Sequence, residues 1–208
     1  MSVAESLRRG AAELNLVLSP QQHQALQDYL RLLEKWNATY NLSAVRDIEQ
    51  MVGAHLLDSL ALHAFIAPAG MRIIDVGSGA GLPGVPLAIL FPDNEFVLLD
   101  SNGKKTRFLT QVKIDLQLDN LTIVKQRVED YRPAANFAIV VSRAFTSLAQ
   151  FFYSTRHLLQ AGGRFYAMKG KYPQAELEQL ADNIHINEVV PLQVPGLDAD
   201  RHLVIAQL

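Results

Sequence analysis

The chain of 208 residues contains no cysteine, which excludes disulfides and thiolate metal sites. No charged-then-apolar leader opens it, and no apolar stretch nears the length that crosses a bilayer, so a cytoplasmic protein without a membrane partner is expected. Ligand spacing is missing too. The histidines (His23, His55, His63, His157, His185 and His202) stand apart from supporting carboxylates, and no metal is expected. A charge excess of one sign is likewise absent: 19 Lys and Arg face 21 Asp and Glu, a net −2. That argues against a generic nucleic-acid coat but leaves room for a local basic face. Repeats and low-complexity tracts are not found. What remains is ordinary globular composition, 49% hydrophobic and 19% charged, enough for one sizeable domain with a small appendage.

Residues 1 to 67 read as helices. Ser19-Pro20-Gln21-Gln22 joins an N-cap serine, a proline at the first helical position and a capping-box glutamine. Leu26, Tyr29, Leu30, Leu33 and Trp36 follow at helical spacing. Asp47-Ile48-Glu49-Gln50 starts a second helix carrying Met51, Val52, Leu56, Leu60 and His63. "APAGM", residues 67 to 71, is a Pro/Gly break. It predicts a helical extension over 1–67 and a main domain over 68–208.

Beyond the break, short apolar segments alternate with helices. Strands are expected at 72–77, 95–100, 121–126, 137–142, 164–170, 186–192 and 202–208, and helices near 83–91, 103–117, 147–160 and 173–183. Such alternation predicts an α/β fold whose mainly parallel, seven-stranded sheet is covered on both faces. Only "QVPGLDADR" separates the last two strands, so they form an antiparallel hairpin at the end of the sheet.

Gly79-Ala80-Gly81-Leu82-Pro83-Gly84 matches the dinucleotide fingerprint G-x-G-x-x-G. That site directs helix amides at a diphosphate. Here Asp75 ends the preceding strand, and its carboxylate is expected to face whatever the loop holds. It repels a diphosphate and suits a ligand carrying an ammonium and a sulfonium, which describes S-adenosyl-L-methionine. Gly77 and Gly79 then let the backbone pass close beneath that ligand, and Pro86 must lie in the first helical turn. A tight turn with no ligand is the plainer reading.

Asp100 ends the next strand about twenty residues past the loop, where a carboxylate can accept both ribose hydroxyls. NAD enzymes use the same position, so Asp100 points to an adenosine cofactor without saying which, and a cap on the helix that follows is the lesser alternative. Val128 and Glu129, past the third strand, can meet an adenine ring and its amino group, although Glu129 also reads as a solvated loop residue. The three acidic positions after three successive strands are persuasive together.

"DVGSGAGLPGVPLAI", "LLDSNGKKTRFL", "VEDY" and "VSRAF", preceded by "KWNATYNLSAVRD" and "HLLDSL", resemble the bacterial glucose-inhibited division protein B family over nearly the whole chain. The resemblance implies a class I S-adenosylmethionine-dependent methyltransferase fold, Rossmann-like, with an N-terminal helical extension. It implies a methyltransferase making N7-methylguanosine at nucleotide 527 of 16S rRNA, in the small ribosomal subunit or its assembly intermediate. It further implies cofactor contacts from Gly77, Leu82, Val128, Glu129 and Arg143; Gly79 and Asp100 join them on the arguments above.

Guanine N7 carries a free lone pair, so no general base is needed and no catalytic residue is assigned. The fourth strand ends in Ser142-Arg143-Ala144-Phe145, not in the Asn/Asp-Pro-Pro-aromatic motif of amino-group methyltransferases. Without cysteine, a covalent pyrimidine mechanism is excluded. Catalysis then rests on alignment. Phe145 can stack on a splayed base or pack beneath the sheet's end. Lys104, Lys105, Arg107, Lys169 and Lys171 are candidates for the RNA backbone, with a solvated helix face as the other reading of Lys105 and Arg107. His55, Asp58 and Ser59 share one helix arc, as a lid over the cofactor or a surface pair. Two rivals stand beside this reading: a dehydrogenase using the literal fingerprint, and a non-catalytic adenosine-binding module docking on the ribosome.

Overall fold

The computed structural model describes residues 2–67, 69–143, 145, 147–181 and 183–208. Pro68 of the expected break and Ala144 of the Ser142–Phe145 block lie outside the described residues. Helix α1 (Val3–Glu13) is capped by Ser2, and α2 (Pro20–Tyr40) starts on the anticipated capping box. The Gln22 side-chain oxygen accepts the Ser19 N–H at 2.9 Å, and Ser19 Oγ accepts the Gln22 N–H at 3.1 Å. Of the stripe on α2, Leu26, Tyr29, Leu30 and Leu33 are fully buried.

Asp47 caps α3 (Ile48–Met51) by accepting the Gln50 N–H at 2.9 Å. The expected regular helix does not continue. A π-helical turn spans Val52–Leu57, a short α4 spans Asp58–Leu60, and a 3₁₀ turn closes at Ala61–Phe65. Nearly every residue from Met51 to Leu62 is buried. No polar face therefore marks the pitch, and periodicity cannot reveal that it widens.

The sheet strands are β1 (Arg72–Val76), β2 (Glu95–Leu99), β3 (Leu121–Val124), β4 (Phe137–Ser142), β5 (Leu159–Lys169), β6 (His185–Pro191) and β7 (His202–Gln207). Their order is β3-β2-β1-β4-β5-β7-β6. The first five are parallel, while β7 lies antiparallel between β5 and β6, the terminal hairpin anticipated above. Helices α5 (Gly84–Leu90), α6 (Gly103–Asp115) and α7 (Leu148–Thr155) fill the crossovers. Pro86 falls in the first turn of α5, as its missing N–H requires.

Two segments depart from expectation. Strand β5 begins at Leu159 rather than 164, and α8 covers only Gln174–Leu177 of the helix expected to 183. Leu177, Leu180 and Ile184 still pack on the sheet, so their spacing reported burial and not helix.

Strand alternation sorts the core into two layers. Ile73, Phe96, Leu98, Ile139 and Val141 face α2, α5 and α6, while Ile74, Val76, Val97, Leu99 and Val140, with Phe165 of β5, face Phe151 and Phe152 of α7. Strand β1 neighbours β2 on one side and β4 on the other. That is the topological switch point, where open α/β sheets place their ligands at the carboxyl ends of the strands.

Candidate active site at the carboxyl edge of the sheet

After β1 the backbone turns through Gly77 at φ 70° and Gly79 at φ 62°, left-handed values that a side chain makes costly. A cavity opens beside this turn, lined by Val76, Gly77, Asp100, Val128, Glu129 and Phe145 among others. Five of the expected site residues thus meet at one place, brought there by the ends of β1, β2, β3 and β4. Gly79 and Leu82 belong to the same loop but not to the cavity lining; the Leu82 side chain is buried in the core beside α5.

Asp100 serves both of its readings. One carboxylate oxygen accepts the Gly79 N–H at 2.9 Å, and the other accepts the Asn102 N–H at 2.8 Å, the residue that caps α6. Lys105 Nζ stands 3.8 Å from it. This nearly buried carboxylate therefore ties the glycine loop to the start of α6 while still forming part of the cavity wall. Phe145 does likewise: its ring packs 5.3 Å from that of Phe151, centroid to centroid, and lines the cavity. Glu129 is exposed and Val128 half-buried.

Asp75 corrects an expectation. Its side chain is fully buried, lies outside the cavity lining, and accepts the Gly84 N–H at 2.9 Å. Alternation explains the placement: Asp75 shares the face of Ile73, which α5 covers. Burial pushes its carboxyl up to about 6, against the pull of the Gly84 N–H, the Ser78 hydroxyl and Arg143. Asp75 anchors the first turn of α5 and does not line the cavity.

His55, Asp58 and Ser59 correct another. All three are buried, so they form neither an exposed lid nor a surface pair. Ser59 Oγ donates to the His55 carbonyl at 2.6 Å, and His55 Nε2 lies 2.7 Å from Ser43 Oγ. Burial lowers the His55 pKa below its ordinary value, outweighing the nearby backbone and Asp58, so the ring favours its neutral form. Asp58, only 1% exposed, is bracketed by two arginines. Arg143 Nη1 approaches Oδ2 at 3.1 Å, and Arg201 Nε approaches Oδ1 at 3.0 Å. Arg143 also donates to the Ala54 carbonyl at 3.2 Å.

The structure therefore places Arg143 away from the lining of the Gly77–Asp100 cavity. It lines a second cavity with Asp58, Met168, Lys169, Gly170 and Arg201. Lys169 pairs there with Glu176 at 2.8 Å. Lys104 and Arg107 are exposed on α6 and Lys171 is exposed after β5. Arg201 was not singled out from the sequence, for it lies 143 residues from Asp58 and nothing local marks the pairing. Tyr29 was read only as core. Its hydroxyl also donates to the Ala80 carbonyl at 2.7 Å, holding the glycine loop against α2.

The residues of the first cavity suit an adenosine-bearing cationic cofactor. At Gly79 a Cβ would sit in ordinary contact with Gly77 O and Lys105 Nζ, both at 3.8 Å, so its positive φ and not crowding is what favours glycine. Two carboxylates, Asp100 and Glu129, line the cavity alongside apolar Val128 and Phe145.

Residues 22–204 match the family described as rRNA small subunit methyltransferase G. Ribosomal RNA small subunit methyltransferase G of Stutzerimonas stutzeri is 52% identical over 98% of this chain and 95% of its own. Among solved structures, a precorrin-6y C5,15-methyltransferase from Geobacter metallireducens superposes with a TM-score of 0.56 at 12% identity, covering 81% of this chain and 91% of that one. A SAM-dependent methyltransferase from Aquifex aeolicus gives a TM-score of 0.55 at 14% identity, over 73% and 89%. At such identities these two establish the fold, that of class I S-adenosylmethionine-dependent methyltransferases. On the match of residues 22–204 and the half-identical relative, the chain belongs to the rRNA small subunit methyltransferase G family.

Proposed function

We propose that the protein transfers a methyl group from S-adenosyl-L-methionine to N7 of a guanine, nucleotide 527, in 16S rRNA of the small ribosomal subunit or its assembly intermediate. The observation that carries this reading is the convergence of Gly77, Asp100, Val128, Glu129 and Phe145 on one cavity at the switch point, in a chain of this family. The methyl donor supplies an electrophilic carbon beside a sulfonium. Asp100 is the acceptor for ribose hydroxyls, Glu129 and Val128 meet the adenine, and Gly77 shapes the floor, with Gly79 and Leu82 holding the loop behind it. No catalytic base is assigned, because N7 attacks with a lone pair it already has; the protein's part is to hold that nitrogen in line. Residues 68–208 form the methyltransferase domain and 1–67 a helical extension to it. The setting is cytoplasmic.

Asp100 does not decide against a dinucleotide, because NAD enzymes place a ribose-binding carboxylate at the same strand end; what favours the methyl donor is the family to which the chain belongs. Incorporation of labelled methyl from the donor into small ribosomal subunits, beside naked 16S rRNA, tests the proposal. Label should appear at one guanine that becomes sensitive to the borohydride and aniline cleavage characteristic of N7-methylguanosine. Label elsewhere on the base refutes the N7 assignment, and no label on either substrate refutes the enzyme.

A further inference from the structure

The second cavity, about 310 Å³ in volume, shares no lining residue with the first. It lies across the segment that follows β4: Arg143 lines it, and Phe145, two residues on, lines the first cavity. Its side chains come from four distant segments, α4, the end of β4, the end of β5 and the start of β7. Three cations, Arg143, Lys169 and Arg201, stand against two carboxylates, Asp58 and Glu176.

Asp58 gives the cluster its order. Because it is buried and each of its oxygens engages a different guanidinium, it fixes the two arginines relative to each other. Both retain solvent-facing surface, 29% for the Arg143 side chain and 25% for that of Arg201. Rigid, partly exposed guanidinium groups beside an ammonium make a surface suited to an oxyanion. Two residues past Gly170, Tyr172 is 52% exposed and meets His202 edge-on at 5.6 Å, and His202 Nδ1 lies 2.9 Å from the Gly170 carbonyl.

We propose that this cavity seats a phosphodiester of the RNA strand at the target nucleotide, through Arg143, Lys169 and Arg201, with Tyr172 as a stacking platform for the adjoining base. The inference rests on the reading under Proposed function. The target base itself is a poor occupant. Methylation at N7 places a positive charge on the imidazole ring, and a cavity with surplus cations opposes that charge. A phosphodiester instead gains from every cation there, and exposed aromatic rings accept bases of any sequence by stacking. One other oxyanion shares this chemistry, the carboxylate of the methyl donor, so the test separates the two.

The variants are Arg201→Gln, Arg201→Lys and the double variant Asp58→Asn/Arg201→Gln, which removes the buried carboxylate together with its partner. Each is first checked for cooperative urea unfolding. Affinity for unmethylated small ribosomal subunits is measured across a salt series, and affinity for S-adenosylhomocysteine by calorimetry. Loss of one phosphate contact should flatten the slope of log K against log salt by about 0.7–0.9. We expect that change in Arg201→Gln and in the folded double variant, with KM for subunits raised about tenfold and S-adenosylhomocysteine affinity within twofold of wild type. Arg201→Lys should keep the slope while losing part of the affinity, because an ammonium retains the charge without the fork. An unchanged slope in folded Arg201→Gln overturns the proposal, and so does a loss of S-adenosylhomocysteine affinity in that variant with the slope intact. The wild-type protein separates the two levels. If it labels no RNA but the slope still falls in Arg201→Gln, the methyl-transfer reading fails and the phosphate seat stands. If it labels RNA and the slope does not change, only the seat fails.

Discussion

The cavity over β1 to β3 takes its polar lining from strand ends and from a loop whose backbone is already committed, whereas the cavity over β4, β5 and β7 is made of long side chains meeting from four remote segments. In the first, Asp100 spends its oxygens on the N–H groups of Gly79 and Asn102, so binding groups and scaffold are the same atoms. In the second, a buried carboxylate serves only to position two arginines. One is an acidic cradle set by main-chain geometry. The other is a cationic surface set by side-chain pairing. They should therefore fail differently when cut.

The largest effect is expected at the buried carboxylate of the cationic side. Asp58→Ala leaves two guanidinium groups facing each other without their counter-charge, and breaking buried pairs costs about 3–5 kcal/mol. Since both arginines keep a quarter of their surface in water, the lower end is expected, read as a fall in the urea midpoint. A loss under 1 kcal/mol would show that Asp58 does not organise this cavity.

On the acidic side the comparison sharpens through pH. Asp75 holds its proton up to about 6 in the fold, against 3.8 for the ordinary carboxyl. The folded chain therefore binds this proton more tightly than the unfolded one. The resulting stability is complete below the lower value and is lost as pH rises towards 6. At roughly 1.4 kcal/mol per pKa unit, the loss is about 3 kcal/mol. Asp75→Asn should remove this component from the difference in unfolding free energy between pH 4 and pH 7. An identical pH dependence in the variant would contradict it.

Asp100→Ala should weaken S-adenosylhomocysteine binding by one to two orders of magnitude, the worth of a charged hydrogen bond at about 1.5–3 kcal/mol. Calorimetry measures this, and the salt slope of RNA binding should stay put. The smallest change is expected from exposed Lys104. Lys104→Ala should lower that slope by somewhat less than one and leave cofactor affinity alone; a change in cofactor affinity with the slope intact would assign this lysine to the acidic cavity and not to RNA.

The contrast also explains what could be read in advance. Gly77, Asp100, Val128 and Glu129 sit just beyond the first three apolar runs, and strands joined by short right-handed crossovers commonly lie side by side, as β1, β2 and β3 do here, so linear order already pointed to their meeting. The capping box at Ser19 and the closing hairpin were legible for the same reason, since both are local. Asp75 was placed wrongly although the signal was present: it is two residues from Ile73 and shares its face, which α5 covers. The clamp of Asp58 by Arg143 and Arg201 was not legible, because no spacing relates residues from α4, β4 and β7. The π turn escaped because almost every residue around it is buried.

Tyr29 reaches from the second helix to the carbonyl of Ala80, so the N-terminal helices and the glycine turn share a fastener. A load applied to α2 would reach that turn through a single hydrogen bond, with no hinge in between.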